Sequence, residues 1–130
     1  MVAQYPEPVA RDYLTQTEEA ITWLKQHLNL LAIKRFRAEL EKMGVRCERV
    51  LLFGSRATGA AREGSDIDLF IVSSDWARYN ERERFEMLGV AAARILEPIQ
   101  ARGVTPSEIA AHRLLPLWEQ ILKEQAVVVA

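Results

Sequence analysis

Apolar residues recur with helical spacing along the first third of the chain, then give way to short unbroken apolar runs. From about Thr15, Ile21, Leu24, Leu28 and Leu31 fall on one stripe, and Ile33, Phe36, Leu40 and Met43 on a second, offset one. Two helices broken near Asn29, or one long bent helix, both account for the offset, and Gly44 is the expected stop. Residues 47–53 and 68–72 then read as strands. Ser74 or Asp75 is placed to cap a helix over 76–96, with Phe85, Leu88, Ala92 and Ile95 inward and Pro98 ending it. A short strand follows at 99–102. Thr105-Pro106-Ser107-Glu108 is a capping box with proline in the first turn, which opens another helix. Pro116 breaks or restarts that helix, and Leu117, Ile121 and Leu122 form its last apolar stripe. Residues 126–129 close the chain as an edge strand or as a tail that pairs with a partner. Residues 1–14, with Pro6 and Pro8, read as an irregular lead, and 15–130 as a single domain. Helices and strands alternating in this way predict an α/β (α+β) domain, a small mixed sheet packed with helices.

Chemistry concentrates where the first apolar run breaks. Phe53 is followed by Gly54-Ser55, a small Gly-rich stretch with Gly59 and Gly64, and then Ser65-Asp66-Ile67-Asp68-Leu69. Residues i and i+2 of a strand share a face, so Asp66 and Asp68 present two carboxylates side by side while Ile67 turns toward the core. Gly54 lets the backbone turn sharply and approach a ligand. Ser55 offers a hydroxyl and an N–H, and a short helix starting there would aim its N-terminus at an anion. Arg56 suits a phosphate equally well as a solvated surface, and Ser65 caps or orients the loop carrying Asp66. The calcium-loop pattern fails because Phe70 occupies a ligand position, and neither the Walker loop nor the dinucleotide fingerprint occurs. What is left is a strand, a Gly-Ser turn and an Asp-x-Asp, the elements of a magnesium–triphosphate site.

These residues resemble the signature of the nucleotidyltransferase superfamily that includes DNA polymerase β and kanamycin nucleotidyltransferase, and the small size is similar to its minimal bacterial and archaeal members. The resemblance implies that Gly54, Ser55, Arg56 and Ser65 bind a nucleoside triphosphate, ATP above all, and that Asp66 and Asp68 are catalytic and hold Mg2+. It also implies a third acidic residue on a later strand, about five residues before the Thr-Pro that opens the next helix. Counting back from Thr105 gives Gln100, a neutral group. Glu97 sits at an odd offset that turns it to the opposite face, and Glu63 is remote. Minimal members are often paired with a small helical HEPN-type protein as the antitoxin half of a toxin–antitoxin system, so such a partner is implied as well. The expected activity is transfer of a nucleoside monophosphate to a hydroxyl acceptor. The alternative is a nucleotide- or protein-binding module, weak or inactive in catalysis, that keeps the fold.

Composition narrows the field without choosing within it. With 130 residues, 49% of them apolar, the chain suits one modest core. A net charge of −1 with interspersed signs provides no basic face, so direct nucleic-acid binding is not expected. A single Cys47 excludes a disulfide framework and, with only His27 and His112, a zinc cluster. Cys47 reads as a small buried residue. Trp76, Trp118 and Trp23 are assigned to the core, the other arginines to the surface, and His112 to a helix face without a catalytic role. No apolar run is long enough to span a membrane and no signal peptide is visible, so the cytoplasm is the expected location.

Overall fold

The computed structural model describes residues 13–58 and 66–130. One helix, α1 (Tyr13–Lys42), takes up both N-terminal stripes and begins slightly before the expected Thr15. Residues 1–12 lie outside the described part, as do the side chains of Ile21, Trp23 and Leu24. The second stripe is the buried one. Ile33, Phe36 and Leu40 are at most 2% exposed, whereas Leu28 and Leu31 of the first stripe are 62% and 56% exposed. Past the helix end, Gly44 takes a φ of +90°, where a residue without Cβ reverses the chain at little cost.

Four strands, β1 (Arg49–Phe53), β2 (Ile67–Val72), β3 (Ile99–Val104) and β4 (Val127–Val128), form one sheet in the order β3-β2-β1-β4. β1 runs antiparallel to β2 and β4, while β2 and β3 are parallel. The C-terminal valines are thus an edge strand of this same sheet. A parallel pair needs a long crossover, here a 3-10 turn at Ser74–Arg78 followed by α3 (Glu81–Ile95). The continuous 76–96 helix expected from the sequence is therefore two pieces. Ser73 caps the first, and Asn80 opens the second in a reciprocal capping box with Glu83. Leu88, Ala92 and Ile95 are buried as expected, but Phe85 is 73% exposed. Arg84 and Ala91 share the buried face with Leu88, Ala92 and Ile95, and Phe85 falls just outside it.

The pleat of the sheet separates two apolar layers. Val50, Ile67, Leu69 and Ile71 face α1 and α3 in the larger layer. Trp76 is fully buried there and donates its indole N–H to the Ile71 carbonyl at 3.0 Å. Gly103 has no side chain because a Cβ would sit 2.7 Å from that indole ring. On the other face, Phe53, Phe70, Val72 and Val104 are covered by α5 (Pro116–Glu124) through Trp118, Ile121 and Leu122. Leu117 is 61% exposed, so Trp118 and not Leu117 joins the inward stripe.

Arg84 departs from the surface role expected of arginines. It is 7% exposed and donates to the carbonyls of Trp76, Tyr79 and Gly103 and to Glu108 Oε1 at 2.8 Å. Glu108 also accepts the N–H of Thr105 at the start of α4 (Pro106–Ala110), completing the expected capping box. Burial works against the ionised Glu108, but the Arg84 and Thr105 hydrogen bonds outweigh it and hold this carboxyl below the ordinary range. His112 lies just beyond α4 with a φ of +51°, in a turn and not on a helix face, beside Glu119 at 3.2 Å. Cys47 is 1% exposed, and burial pushes its thiol up to about 11, which suits a packing residue and not a nucleophile.

Candidate functional site

The end of β1 and the starts of β2 and β3 meet at one edge of the smaller apolar layer. Across the sheet, Phe53, Asp68 and Gln100 stand in one row, Phe53 paired with Asp68 and Asp68 with Gln100. Ile67 between the two aspartates is 2% exposed in the larger layer, as the alternation requires. Gln100 Nε2 donates to Asp66 Oδ2 at 2.8 Å. The structure therefore gathers Asp66, Asp68 and Gln100.

Gly54 ends β1 with a φ of +73°, a backbone conformation that disfavours any side chain. Its lack of a Cβ has a second reason, which the sequence does not show. A Cβ at this position would overlap the Asp68 carboxylate. The turn and the acid pack directly on each other, so the geometry of one sets the place of the other. Directly after Gly54 comes α2 (Ser55–Thr58), a single turn that starts at Ser55.

Electrostatics around the pair are unbalanced. Partial burial raises the Asp68 carboxyl above the ordinary range, the neighbouring Asp66 charge raises it further, and Arg56 opposes both. Two converging carboxylates with one nearby arginine are short of positive charge. The donor set, the hard oxygens of two carboxylates beside a glycine turn, fits a small divalent cation that takes one or two carboxylates and completes its shell from phosphate and water. Among the described residues no three acidic, histidine or cysteine side chains converge, because the position next to the pair is an amide.

Arg56 reaches back to α1, donating from Nη1 to Asn29 Oδ1 at 2.7 Å. Glu97 points away from the row. Its carboxylate lies 3.9 Å from Arg35, and both line a separate cleft of about 420 Å³ with Asn29, Arg56 and Ile67. Ser65, with Gly59, Glu63 and Gly64, lies outside the described residues.

Four residues around the row escaped the sequence reading. Trp118, Arg102, Phe85 and Gly89 line a cleft of about 320 Å³ that includes Asp68 and Gln100. Arg102 was recoverable, since it follows Gln100 by two residues on a strand and so shares its face. Trp118 was not, because only the docking of α5 brings it near. Its ring meets Phe53 and Phe70 edge-on, with centroids 6.0 and 5.8 Å away, and the Arg102 guanidinium lies 4.1 Å over it.

With this geometry in hand, the comparisons with known proteins are specific. A solved structure from Sulfolobus solfataricus, provisionally described as a nucleotidyltransferase, superposes with a TM-score of 0.58 at 21% identity, covering 82% of this chain and 84% of its own. A toxin–antitoxin structure with AMP-PNP superposes with a TM-score of 0.50 at 20% identity, covering 77% of this chain and 69% of its own. Identities this low show a shared fold. No curated protein sequence matches. The model of the nucleotidyltransferase domain family matches residues 32–99, just over half of the chain, and takes in the Gly54 turn and both aspartates. The chain belongs to the nucleotidyltransferase domain family.

Proposed function

We propose that this domain binds a nucleoside triphosphate, ATP in the first instance, and transfers its nucleoside monophosphate to a hydroxyl acceptor. The observation that carries the proposal is the packing of Asp68 against the Gly54 turn, with Asp66 beside it. One short stretch thereby sets a glycine turn directly against two carboxylates suited to a cation. In this reading Gly54, Ser55, Arg56 and Ser65 hold the triphosphate, while Asp66 and Asp68 hold Mg2+. Bound magnesium would neutralise charge on the phosphates. The acceptor oxygen bonds to the α-phosphorus, the bond from that phosphorus to the bridging oxygen breaks, and pyrophosphate leaves.

A second reading has its own support. Gln100 stands in register with Asp68, where the family resemblance calls for a third acid, and its amide is bound to Asp66. An amide is a poor base and a weak ligand, which favours nucleotide binding with slow transfer. The toxin–antitoxin description of one structural neighbour, with AMP-PNP, supports an antitoxin role beside a helical HEPN-type partner. Such work belongs in the cytoplasm, where nucleotides and magnesium are supplied. No described helix is long and apolar enough to cross a membrane.

The test is to incubate the protein with magnesium, cell lysate and ATP labelled at either the α- or the γ-phosphate. Transfer of α-label only, lost in Asp68→Asn, is the expected result. Transfer of γ-label, or α-labelling that survives Asp68→Asn, would contradict the reading.

A further inference from the structure

The cleft beside the aspartate pair has no assigned use. It wraps around β3, the edge strand of the sheet, and its inner end is formed by Asp68 and Gln100. Phe85 and Gly89 of α3 wall one side, Trp118 of α5 the other, and Arg102 stands two residues further along β3. The cleft runs from Phe53, directly before the Gly54 turn, past Asp68 to Gln100 and Arg102 on β3. A nucleotide at the turn and a molecule in the cleft would therefore meet at Asp68.

Gly89 is the telling residue. Glycine is a poor choice in the middle of a helix, and a tight helix crossing would be the usual reason for one. Here a Cβ would meet nothing within 4 Å. What the missing side chain does is leave the cleft open. Phe85, one turn earlier on the same helix, is 73% exposed at its rim.

We propose that this cleft is the acceptor subsite, and that it takes a small molecule with a hydroxyl at one end, an apolar ring-sized body and an anionic group at the other. The proposal rests on nucleotidyl transfer as the reading of the aspartate pair. Gln100 commits one of its two amide N–H groups to Asp66, which leaves the other N–H and the amide oxygen for a ligand. Ionised Asp68 only accepts hydrogen bonds. That end thus offers acceptors together with one amide donor, and a hydroxyl, which both donates and accepts, complements it.

The walls are aromatic and aliphatic. Arg102 supplies the opposite chemistry, a guanidinium stacked on Trp118 and only loosely paired with Glu81, 3.7 Å away and 72% exposed. Such exposed pairs exchange readily, and the guanidinium fork suits a carboxylate or phosphate. Gln100 and Arg102 are about 6.5 Å apart along the strand, the span of one substituted ring. The volume of about 320 Å³ lies at the small end of ligand pockets. In the step itself the acceptor oxygen bonds to the α-phosphorus, pyrophosphate departs with the bridging oxygen, and the hydroxyl proton passes to water.

Binding of 4-hydroxyphenylacetate, titrated by calorimetry without nucleotide, tests the cleft by itself. Saturable binding is expected, at least about tenfold weaker for phenylacetate, which lacks the hydroxyl, and for tyramine, which replaces the anion by a cation. Arg102→Gln should weaken binding about as much. Gly89→Leu should fill the cleft and abolish binding while the melting temperature holds or rises, since leucine favours a helix. No saturable binding at millimolar ligand, equal affinity for tyramine, or unchanged binding in Gly89→Leu would overturn the subsite. α-labelled ATP and magnesium are then added. Labelling of 4-hydroxyphenylacetate supports the acceptor role, and binding without labelling, in protein that labels other acceptors, overturns it. Failure to label anything, with ligand binding intact, instead counts against nucleotidyl transfer.

Discussion

Replacing Gly54 by alanine isolates the contact on which the site is built. Two separate penalties are expected. A non-glycine residue in the left-handed region costs roughly 1–2 kcal/mol. The new Cβ also overlaps the Asp68 carboxylate, which must swing off its preferred rotamer at about 1 kcal/mol. Gly54→Ala should therefore lose about 2–3 kcal/mol in stability. In an Asp68→Ala background the carboxylate is gone, and only the backbone penalty of roughly 1–2 kcal/mol should remain. The difference, about 1 kcal/mol of coupling, is within reach of a double-mutant cycle. Urea unfolding of the four proteins in EDTA, followed by the fluorescence of buried Trp76, measures it. Equal cost of Gly54→Ala in both backgrounds would refute direct packing of the turn on the acid. The displaced carboxylate should also weaken Mg–ATP binding in the single variant by more than the stability loss alone accounts for.

Three further outcomes follow from the same geometry. Because Asp68 is raised by partial burial and by Asp66, the folded protein holds its proton more tightly than the unfolded chain does. That stabilisation is complete below the unfolded value of about 3.9 and is lost as pH rises through the higher folded one. Metal-free wild type should accordingly gain on Asp68→Asn in melting temperature between pH 7 and pH 4, and a gap that stays constant would contradict the shift. Gln100→Asp should speed α-label transfer, since general-base assistance is worth about 10²–10⁴-fold, and should lower metal-free stability in a way magnesium restores. Unchanged transfer would show that another group already fills that role. Arg84→Ala strips a partner from three carbonyls and Glu108 and should cost at least about 2 kcal/mol in urea unfolding, whereas a loss below about 0.5 kcal/mol would mark the network as incidental.

Much of this molecule was legible where short-range rules act alone. The Thr105 capping box and the two central strands follow from local chemistry and alternation, whereas the C-terminal valines read equally as an edge strand or a tail, and only the pairing with β1 decides between them. The row of Asp68 and Gln100 followed from counting along the family pattern to a strand, and the parallel register places the two side by side. The rest depended on tertiary geometry. The Asn80 cap competes with the Ser74 and Asp75 signals and splits the expected helix, and on the buried face set by Leu88, Ala92 and Ile95 the first-turn place goes to Arg84 and not to Phe85. The two stripes of α1 looked equivalent, yet among the described residues Ile33, Phe36 and Leu40 are buried while Leu28 and Leu31 are exposed. Gly54 signalled a turn, but its contact with Asp68 arises from strand pairing across a loop. Trp118 was legible as apolar and not as a wall beside the aspartates, since no local pattern says where α5 docks.

Calorimetric titration of Mg–ATP into wild type, Asp66→Asn and Asp68→Asn tests the central claim most directly. Saturable, magnesium-dependent binding by wild type is expected, with affinity at least about tenfold lower in each variant because a carboxylate ligand is lost, and with melting temperatures showing that all three are folded. Equal affinity in the three proteins, or binding that persists undiminished in EDTA, would contradict it.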